Sequence, residues 1–272
     1  MKFKALLCRP RHKDMTIFTD VDGTLISLKT HKLVPSAVEA VKEARANGFK
    51  VFAATGRSIA QFKNLGEIEF DGYICMNGGY CQTAAGEIIY EGHIDKADLA
   101  RLIEFFKTRK NHPCMFASAK EVFANVRSPE IEKLAQILGL PAPEVKDPER
   151  ALEIPVALLN MFVSPSDEEE LMNEVLLNCH SSRWTPLFAD INPKSNSKAT
   201  GLVEFSKYFG IPISQTFAIG DGENDMPMLR AAAVSVAMGN ASGSVKACAK
   251  HSTSTVDDDG FASALRKFGF IK

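Results

Sequence analysis

The sequence predicts an α/β fold: a Rossmann-like core with a parallel sheet, assembled from both ends of the chain, and an α+β domain inserted between them. Three observations carry this prediction. Near the N-terminus, short apolar runs rich in β-formers alternate with an amphipathic helical segment, the signature of parallel strands joined by crossover helices. The same alternation returns after Lys198. Between the two stretches lies a segment with neighbouring strand candidates and a Pro-rich loop, which does not continue the sheet.

The first strand is predicted at Met15–Thr19, ending in Asp20. A helix opens at Pro35, carries Val38, Val41 and Ala44 on one face, and stops before Gly48. Proline at the start and glycine past the end is the usual asymmetry. Strands follow at Phe49–Ala54, running into Thr55-Gly56-Arg57, and at Tyr73–Met76, running into Asn77-Gly78-Gly79. In the middle segment, strands are expected at Glu87–Glu91, Cys114–Ala117, Glu121–Asn125, Ala157–Val163 and Arg183–Thr185. Helices are expected there at Lys96–Lys110, Pro129–Leu138 and Asp167–Leu177, and the second and third strands read as a hairpin. Beyond Lys198 come a helix to Tyr208, a strand at Thr216–Ile219, a helix at Glu223–Arg230, a strand at Val234–Ala237 and a helix at Ser242–Ala249. The expected division is a core of residues 1–85 and 190–272 with residues 86–189 inserted as a cap.

Composition narrows the function classes. With 272 residues, 45% apolar and 24% charged, the chain suits a globular protein rather than a disordered or collagen-like one. Lys and Arg total 32 against 33 Asp and Glu, so no basic field exists to hold nucleic acid or an anionic membrane. No stretch approaches ~18 uninterrupted apolar residues, and the apolar run after Met1 is too short for a secretory signal. Cys8, Cys75, Cys81, Cys114, Cys179 and Cys248 form no C-x-x-C pair and read as reduced thiols, which with the missing leader points to the cytoplasm.

Two acidic clusters stand out: Asp20-Val21-Asp22-Gly23-Thr24, and Gly220-Asp221-Gly222-Glu223-Asn224-Asp225. Each follows a strand, as does Thr55-Gly56, and ligands of parallel sheets bind beyond the carboxyl ends of strands. Carboxylates gathered at one edge repel each other unless a cation neutralises them, and oxygen ligands of this kind suit Mg2+. A calcium loop does not fit. Its sixth and twelfth positions need Gly and Glu, and here they hold Leu25 and His31, or Met226 and Ala232.

Phe18-Thr19-Asp20-Val21-Asp22-Gly23-Thr24-Leu25, Ala54-Thr55-Gly56-Arg57, Lys198 and Gly220–Asp225 resemble the four ordered motifs of the haloacid-dehalogenase-like phosphatases. The position of the insertion, after Met76-Asn77-Gly78-Gly79, is similar to the Cof-type branch with its large α/β cap. The resemblance implies a nucleophile at Asp20 and an acid/base at Asp22. It implies metal ligation by the Asp20 carboxylate, the Asp22 carbonyl and Asp221. Phosphate would be bound by Val21, Thr55, Gly56, Lys198 and Asn224, with Asp225 orienting Lys198 or a metal-bound water. Lys198 is preferred to Lys194 because helical periodicity starts there, with Lys194 as the alternative. Thr55 also suits a helix cap, which is compatible with phosphate binding. Trp184 is expected to pack the cap, and no histidine falls in a motif.

The expected function is therefore Mg2+-dependent hydrolysis of small phosphorylated metabolites, sugar phosphates foremost, through an aspartyl-phosphate. A phosphomutase or phosphotransferase would use the same intermediate. A non-catalytic sensor of a phosphorylated ligand is a third reading, weakened by the presence of both Asp20 and Asp22. Expected partners are a small phosphomonoester, with neither nucleic acid nor membrane; a monomer is compatible with the sequence.

Overall fold

The computed structural model describes residues 15–66 and 68–272; Cys8 and the basic N-terminal run lie outside them, as does the side chain of Trp184. The chain begins with β1 (Thr16–Thr19), α1 (Pro35–Ala46), β2 (Lys50–Ala54), β3 (Gly72–Cys75), β4 (Tyr80–Thr83) and β5 (Ile88–Glu91). It continues through α2 (Lys96–Thr108), β6 (Cys114–Ala117), β7 (Val122–Ala124), α3 (Pro129–Leu138) and β8 (Glu144–Val145). Next come β9 (Leu158–Met161), α4 (Pro165–Glu174), β10 (Cys179–Thr185) and β11 (Phe188–Pro193). The last part holds α5 (Lys198–Phe209), β12 (Thr216–Gly220), α6 (Met226–Ala231), β13 (Val234–Ala237), α7 (Gly243–Cys248), β14 (His251–Ser252) and α8 (Gly260–Lys267).

Among the described residues the strands form two sheets. The larger runs β14-β13-β12-β1-β2-β3-β4-β5, parallel from β14 to β3 and antiparallel thereafter. The smaller runs β10-β11-β9-β6-β7-β8 and is antiparallel apart from the β7–β8 pair. This is the parallel core with an inserted α+β cap. Helices cover both faces of the core sheet, so its central strands are buried on both sides and read as unbroken apolar runs. Alternate residues feed opposite faces. Ile17, Val51, Phe217 and Ile219 pack on one side with α1 and α8, while Phe18, Phe52, Ile74 and Ala218 pack on the other with α5 and α6. The cap has its own core, with Leu102, Phe116, Phe123, Leu159 and Ile191 at its centre. Among the described residues no helix is long and apolar enough to cross a membrane.

The structure moves several expected boundaries. The strand expected at Glu87–Glu91 as part of the insertion is β5 of the core sheet, hydrogen-bonded to β4, so the core continues beyond residue 86. At the other end, β11 belongs to the cap sheet as far as Pro193. The helix expected at Asp167–Leu177 starts earlier, because Ser164 caps it by accepting the Asp167 N–H. The helix expected at Glu223–Arg230 begins as a 3-10 turn, Glu223–Asp225, before α6. The sequence reading missed β4, β8, β11, β14 and α8 altogether. In β11 the reason is clear: Asp190 and Asn192 interrupt the apolar pattern although both are buried.

Phe52 sits at the centre of one apolar layer, with its ring 5.1 Å from Phe18, 4.6 Å from Phe205 and 5.5 Å from Phe209. Phe52→Ala is expected to destabilise the fold by about 3–5 kcal/mol, read as a lower urea midpoint at unchanged slope.

Candidate active site

The core sheet itself assembles the site. In the register of β2, β1 and β12, Ala53 and Ile219 flank Thr19, so the residues that follow these strands emerge side by side. Asp20 follows β1 and its N–H donates to the Ile219 carbonyl at 2.9 Å. Thr55 follows β2, Asp221 follows β12, and Lys198 is the first residue of α5.

Lys198 is fully buried and bridges two carboxylates. Its Nζ donates to Asp20 Oδ1 at 2.7 Å and to Asp225 Oδ1 at 2.6 Å. Burial alone would lower the lysine's pKa; the charges of Asp20 and Asp225 outweigh it and hold the ammonium above its usual range. The second oxygen of Asp225 accepts the N–H groups of Asp221 and Gly222, at 3.0 and 2.9 Å. Both Asp225 oxygens are thus engaged. Asp20 differs: its Oδ2 is buried and has no partner among the described residues.

Asp221 lies against this group from the β12 side. Gly23 takes a left-handed φ of +88°, and a side chain there would run into the Asp221 carboxylate, so only glycine lets the two acidic segments meet. Asn240 ties them together, donating to the Gly23 carbonyl at 2.9 Å and to Asp221 Oδ2 at 2.7 Å. Burial first, and then neighbouring carboxylates, push the pKa values of Asp20 and Asp221 upward. Oxygens of Asp20, Asp221 and Asp225 come within 4.8 Å of one another. This donor set fits a hard divalent cation: the bare Asp20 Oδ2 and the Asp221 carboxyl offer oxygen ligands, and a cation would relieve their repulsion.

Asp22 is paired with Arg57, a residue for which the sequence reading named no role. The guanidinium donates through Nε to Asp22 Oδ2 at 2.9 Å and through a terminal nitrogen to Oδ1 at 2.6 Å. Thr55 Oγ1 accepts the Arg57 N–H at 3.1 Å in a tight turn, which leaves its hydroxyl proton to donate elsewhere; it is not the expected helix cap, because the helical turn that follows, Ile59–Leu65, has Ser58 at its N-cap. The N–H groups of Val21 and Gly56 have no hydrogen-bond partner among the described residues.

The cap closes the site from the other side. A cavity of about 300 Å³ is lined by Asp20, Asp22, Thr55, Gly56, Arg57, Asp221 and Asn224 from the core. From the cap it is lined by Met115, Leu134, Asn160, Arg183, Phe188 and Asp190. Asn77, with a left-handed φ of 54°, links the two parts: its amide donates to Asp190 Oδ2 at 2.9 Å and accepts from Asn224 Nδ2 at 3.0 Å. Burial pushes the Asp190 carboxyl up to about 6.

The structure therefore brings together Asp20, Asp22, Val21, Thr55, Gly56, Lys198, Asp221, Asn224 and Asp225. It leaves out Lys194, which is exposed and donates to the Leu177 carbonyl at 2.8 Å. The sequence reading missed Arg57, Asn77, Asn160, Arg183, Asp190 and Asn240. Arg57 and Asn77 lay inside motifs already noted, and Asn77-Gly78 carries a turn signal. Asn160, Arg183 and Asp190 carry no local signal.

The family model for haloacid dehalogenase-like hydrolases matches residues 17–265, and the chain belongs to this family. It is similar in structure to BT1666 of Bacteroides thetaiotaomicron, a phosphatase of the same superfamily, with 36% identity and a TM-score of 0.87 over 98% of this chain and 100% of that one. The subclass IIB sugar phosphatase BT4131 is 34% identical, with a TM-score of 0.86 over 94% of this chain and 100% of its own. The pyridoxal phosphate phosphatase YbhA of Escherichia coli (strain K12) is 29% identical over 85% of this chain and 90% of its own length. The chain is thus an enzyme of the phosphatase type, and the reading as a non-catalytic sensor is set aside.

Asp221→Asn tests the electrostatics directly. A folded-state pKa raised above the unfolded value means that stability falls as the pH climbs from the ordinary carboxylate range to the raised one, and for Asp221, pushed up to about 9, neutral pH lies inside that window. In chelator at neutral pH the variant is expected to be more stable than wild type, by about 1–2 kcal/mol. Magnesium should raise the melting temperature of wild type and not of the variant; equal responses in both would remove Asp221 from the cation site.

Proposed function

We propose that the chain is a magnesium-dependent phosphomonoesterase acting on small phosphorylated metabolites, sugar phosphates foremost, through an aspartyl-phosphate formed on Asp20. The observation that carries this reading is Asp20 itself, with one carboxylate oxygen held by Lys198 and the other buried, unpartnered and in the cavity wall.

In the first half-reaction the free oxygen of Asp20 attacks phosphorus, and the bond to the ester oxygen breaks. Asp22 gives its proton to the departing alkoxide. In the second, Asp22 takes a proton from water as that water attacks phosphorus, and the bond to Asp20 breaks to release phosphate. The Arg57 pair must open for Asp22 to reach the leaving oxygen, which leaves the guanidinium facing the phosphoryl anion. Lys198 fixes the attacking group and adds positive charge. The N–H groups of Val21 and Gly56, the Thr55 hydroxyl and the second amide N–H of Asn224 take phosphoryl oxygens. Asp20, Asp221 and the Asp22 carbonyl would hold the magnesium ion, which when bound supplies charge against that developing on the phosphoryl group.

The cap, which we take to span the segment between β5 and α5, excludes water and screens the alcohol of the ester. Its polar lining and the likeness to BT4131 support a sugar phosphate. The free cysteines, four of the five described being buried, are compatible with a cytoplasmic setting.

The test is phosphate release from hexose and pentose phosphates, nucleotides and pyridoxal phosphate, with magnesium or with chelator. Metal-dependent release from the sugar phosphates is expected. Asp20→Asn should lose at least ~10³-fold in kcat, and turnover surviving it would refute the nucleophile. Asp22→Asn should lose ~10²–10⁴-fold with alkyl esters and less with aryl esters, whose leaving groups need no proton.

A further inference from the structure

We infer that Asn77 is a positioning residue for phosphoryl transfer: its side-chain oxygen fixes the amide of Asn224, so that the second N–H of that amide is presented to the phosphoryl group. The inference rests on the hydrolase reading above and adds to it a residue that acts through another.

The hydrogen bonds leave one orientation for these amides. Asn77 is buried, and its Nδ2 donates to Asp190 Oδ2 at 2.9 Å and to Asn192 Oδ1 at 3.1 Å, which engages both of its protons. Asn192 accepts there because its own nitrogen donates to the Met76 and Ala157 carbonyls. Oδ1 of Asn77 is therefore the atom turned toward Asn224, and it can only accept. Nδ2 of Asn224 donates to it at 3.0 Å. The other proton of that nitrogen has no partner among the described residues, and Asn224 lines the cavity that holds Asp20.

Asn77 keeps this place because its turn is anchored on every side. Met76 and Asn77 both take a left-handed φ, 49° and 54°, which asparagine tolerates and methionine seldom adopts. The Met76 N–H donates to the Arg57 carbonyl and the Asn77 N–H to the Thr55 carbonyl, both at 3.0 Å. The turn is thereby tied to the one that carries Thr55 and Gly56. A side chain at Gly78 would run into the Ser197 carbonyl, so the same turn lies against the start of α5, next to Lys198. Asn77 itself does not line the cavity. Each of its three side-chain hydrogen bonds ends on another side chain, and two of those, Asp190 and Asn224, do line it.

The test is a double-mutant cycle on kcat/KM, with Asn77→Gly and Asn224→Ala made singly and together. The substrates are p-nitrophenyl phosphate and the sugar phosphate turned over fastest. Glycine keeps the left-handed backbone and removes only the amide. Alone, Asn77→Gly is expected to lower kcat/KM by about 10- to 100-fold for both esters. In the Asn224→Ala background the same change should cost less than about threefold, because the group it positions is gone. An equal loss in both backgrounds would make Asn77 a structural residue only, and a loss confined to the sugar ester would assign it to the cap. Either result overturns the inference and leaves the hydrolase reading intact, as does wild-type kcat/KM in either single variant. Turnover of neither ester by wild type, or turnover that survives Asp20→Asn, overturns both readings. Should Asn77→Gly fail to fold, Asn192→Ala, which removes one acceptor of the Asn77 amide from outside the cavity wall, enters the same cycle with the same expectations and the same refutations.

Discussion

The ammonium of Lys198 is the interaction on which the catalytic end of the molecule depends. It joins Asp20 from the N-terminal segment to Asp225 from the C-terminal one, and it is itself the first residue of the helix by which the chain re-enters the core after the cap. Three stretches far apart in sequence meet at one buried charge. With Lys198 removed, two carboxylates would remain in a low-dielectric setting without compensation, a loss of about 3–5 kcal/mol for a buried pair. The constraint also fixes geometry. With Oδ1 of Asp20 pinned, Oδ2 is left without a partner among the described residues.

How much of this was legible depends on whether a feature is local. The central strands were readable because burial on both faces gives unbroken apolar runs, as in Thr16–Thr19 and Thr216–Gly220. The acidic clusters were readable because each immediately follows such a run. Lys198 could be preferred to Lys194 by helical periodicity, and the structure separates the two by burial. What escaped lies in non-local pairing. Ile88–Glu91 looks like any short strand, and only its partner Tyr80–Thr83 assigns it to the core sheet. Phe188–Pro193 is buried throughout but carries Asp190 and Asn192, whose partners come from elsewhere in the chain.

Those partners show how the cap is attached. Asn192 donates to the carbonyls of Met76 in the core and Ala157 in the cap, both at 3.0 Å, and Asn77 holds Asp190 and Asn224. Most of these links are neutral amides with their hydrogen-bonding capacity largely satisfied across the junction. Such a junction is directional and avoids the desolvation penalty of a buried ion pair, whereas an apolar contact would allow sliding. It sits directly over Gly56, so the placement of the cap and of the turn after β2 are set by the same side chains.

The departures from ordinary protein chemistry gather in one place. A fully buried lysine, a buried carboxylate oxygen without a partner, two successive non-glycine residues in the left-handed region (Met76 and Asn77) and an aspartate inside a strand all lie around or next to the same cavity. Elsewhere the chain follows local rules: Ser128, Ser164 and Ser242 cap their helices, Gly139 and Gly210 end theirs, and the apolar faces match the layers they meet. Each departure lowers stability taken alone, and together they are sustained by the packed sheet beneath. A core built only for stability would have none of them. Their concentration at the carboxyl ends of β1, β2 and β12 is the physical argument for proposing this edge, rather than another cavity, as the place of the chemistry.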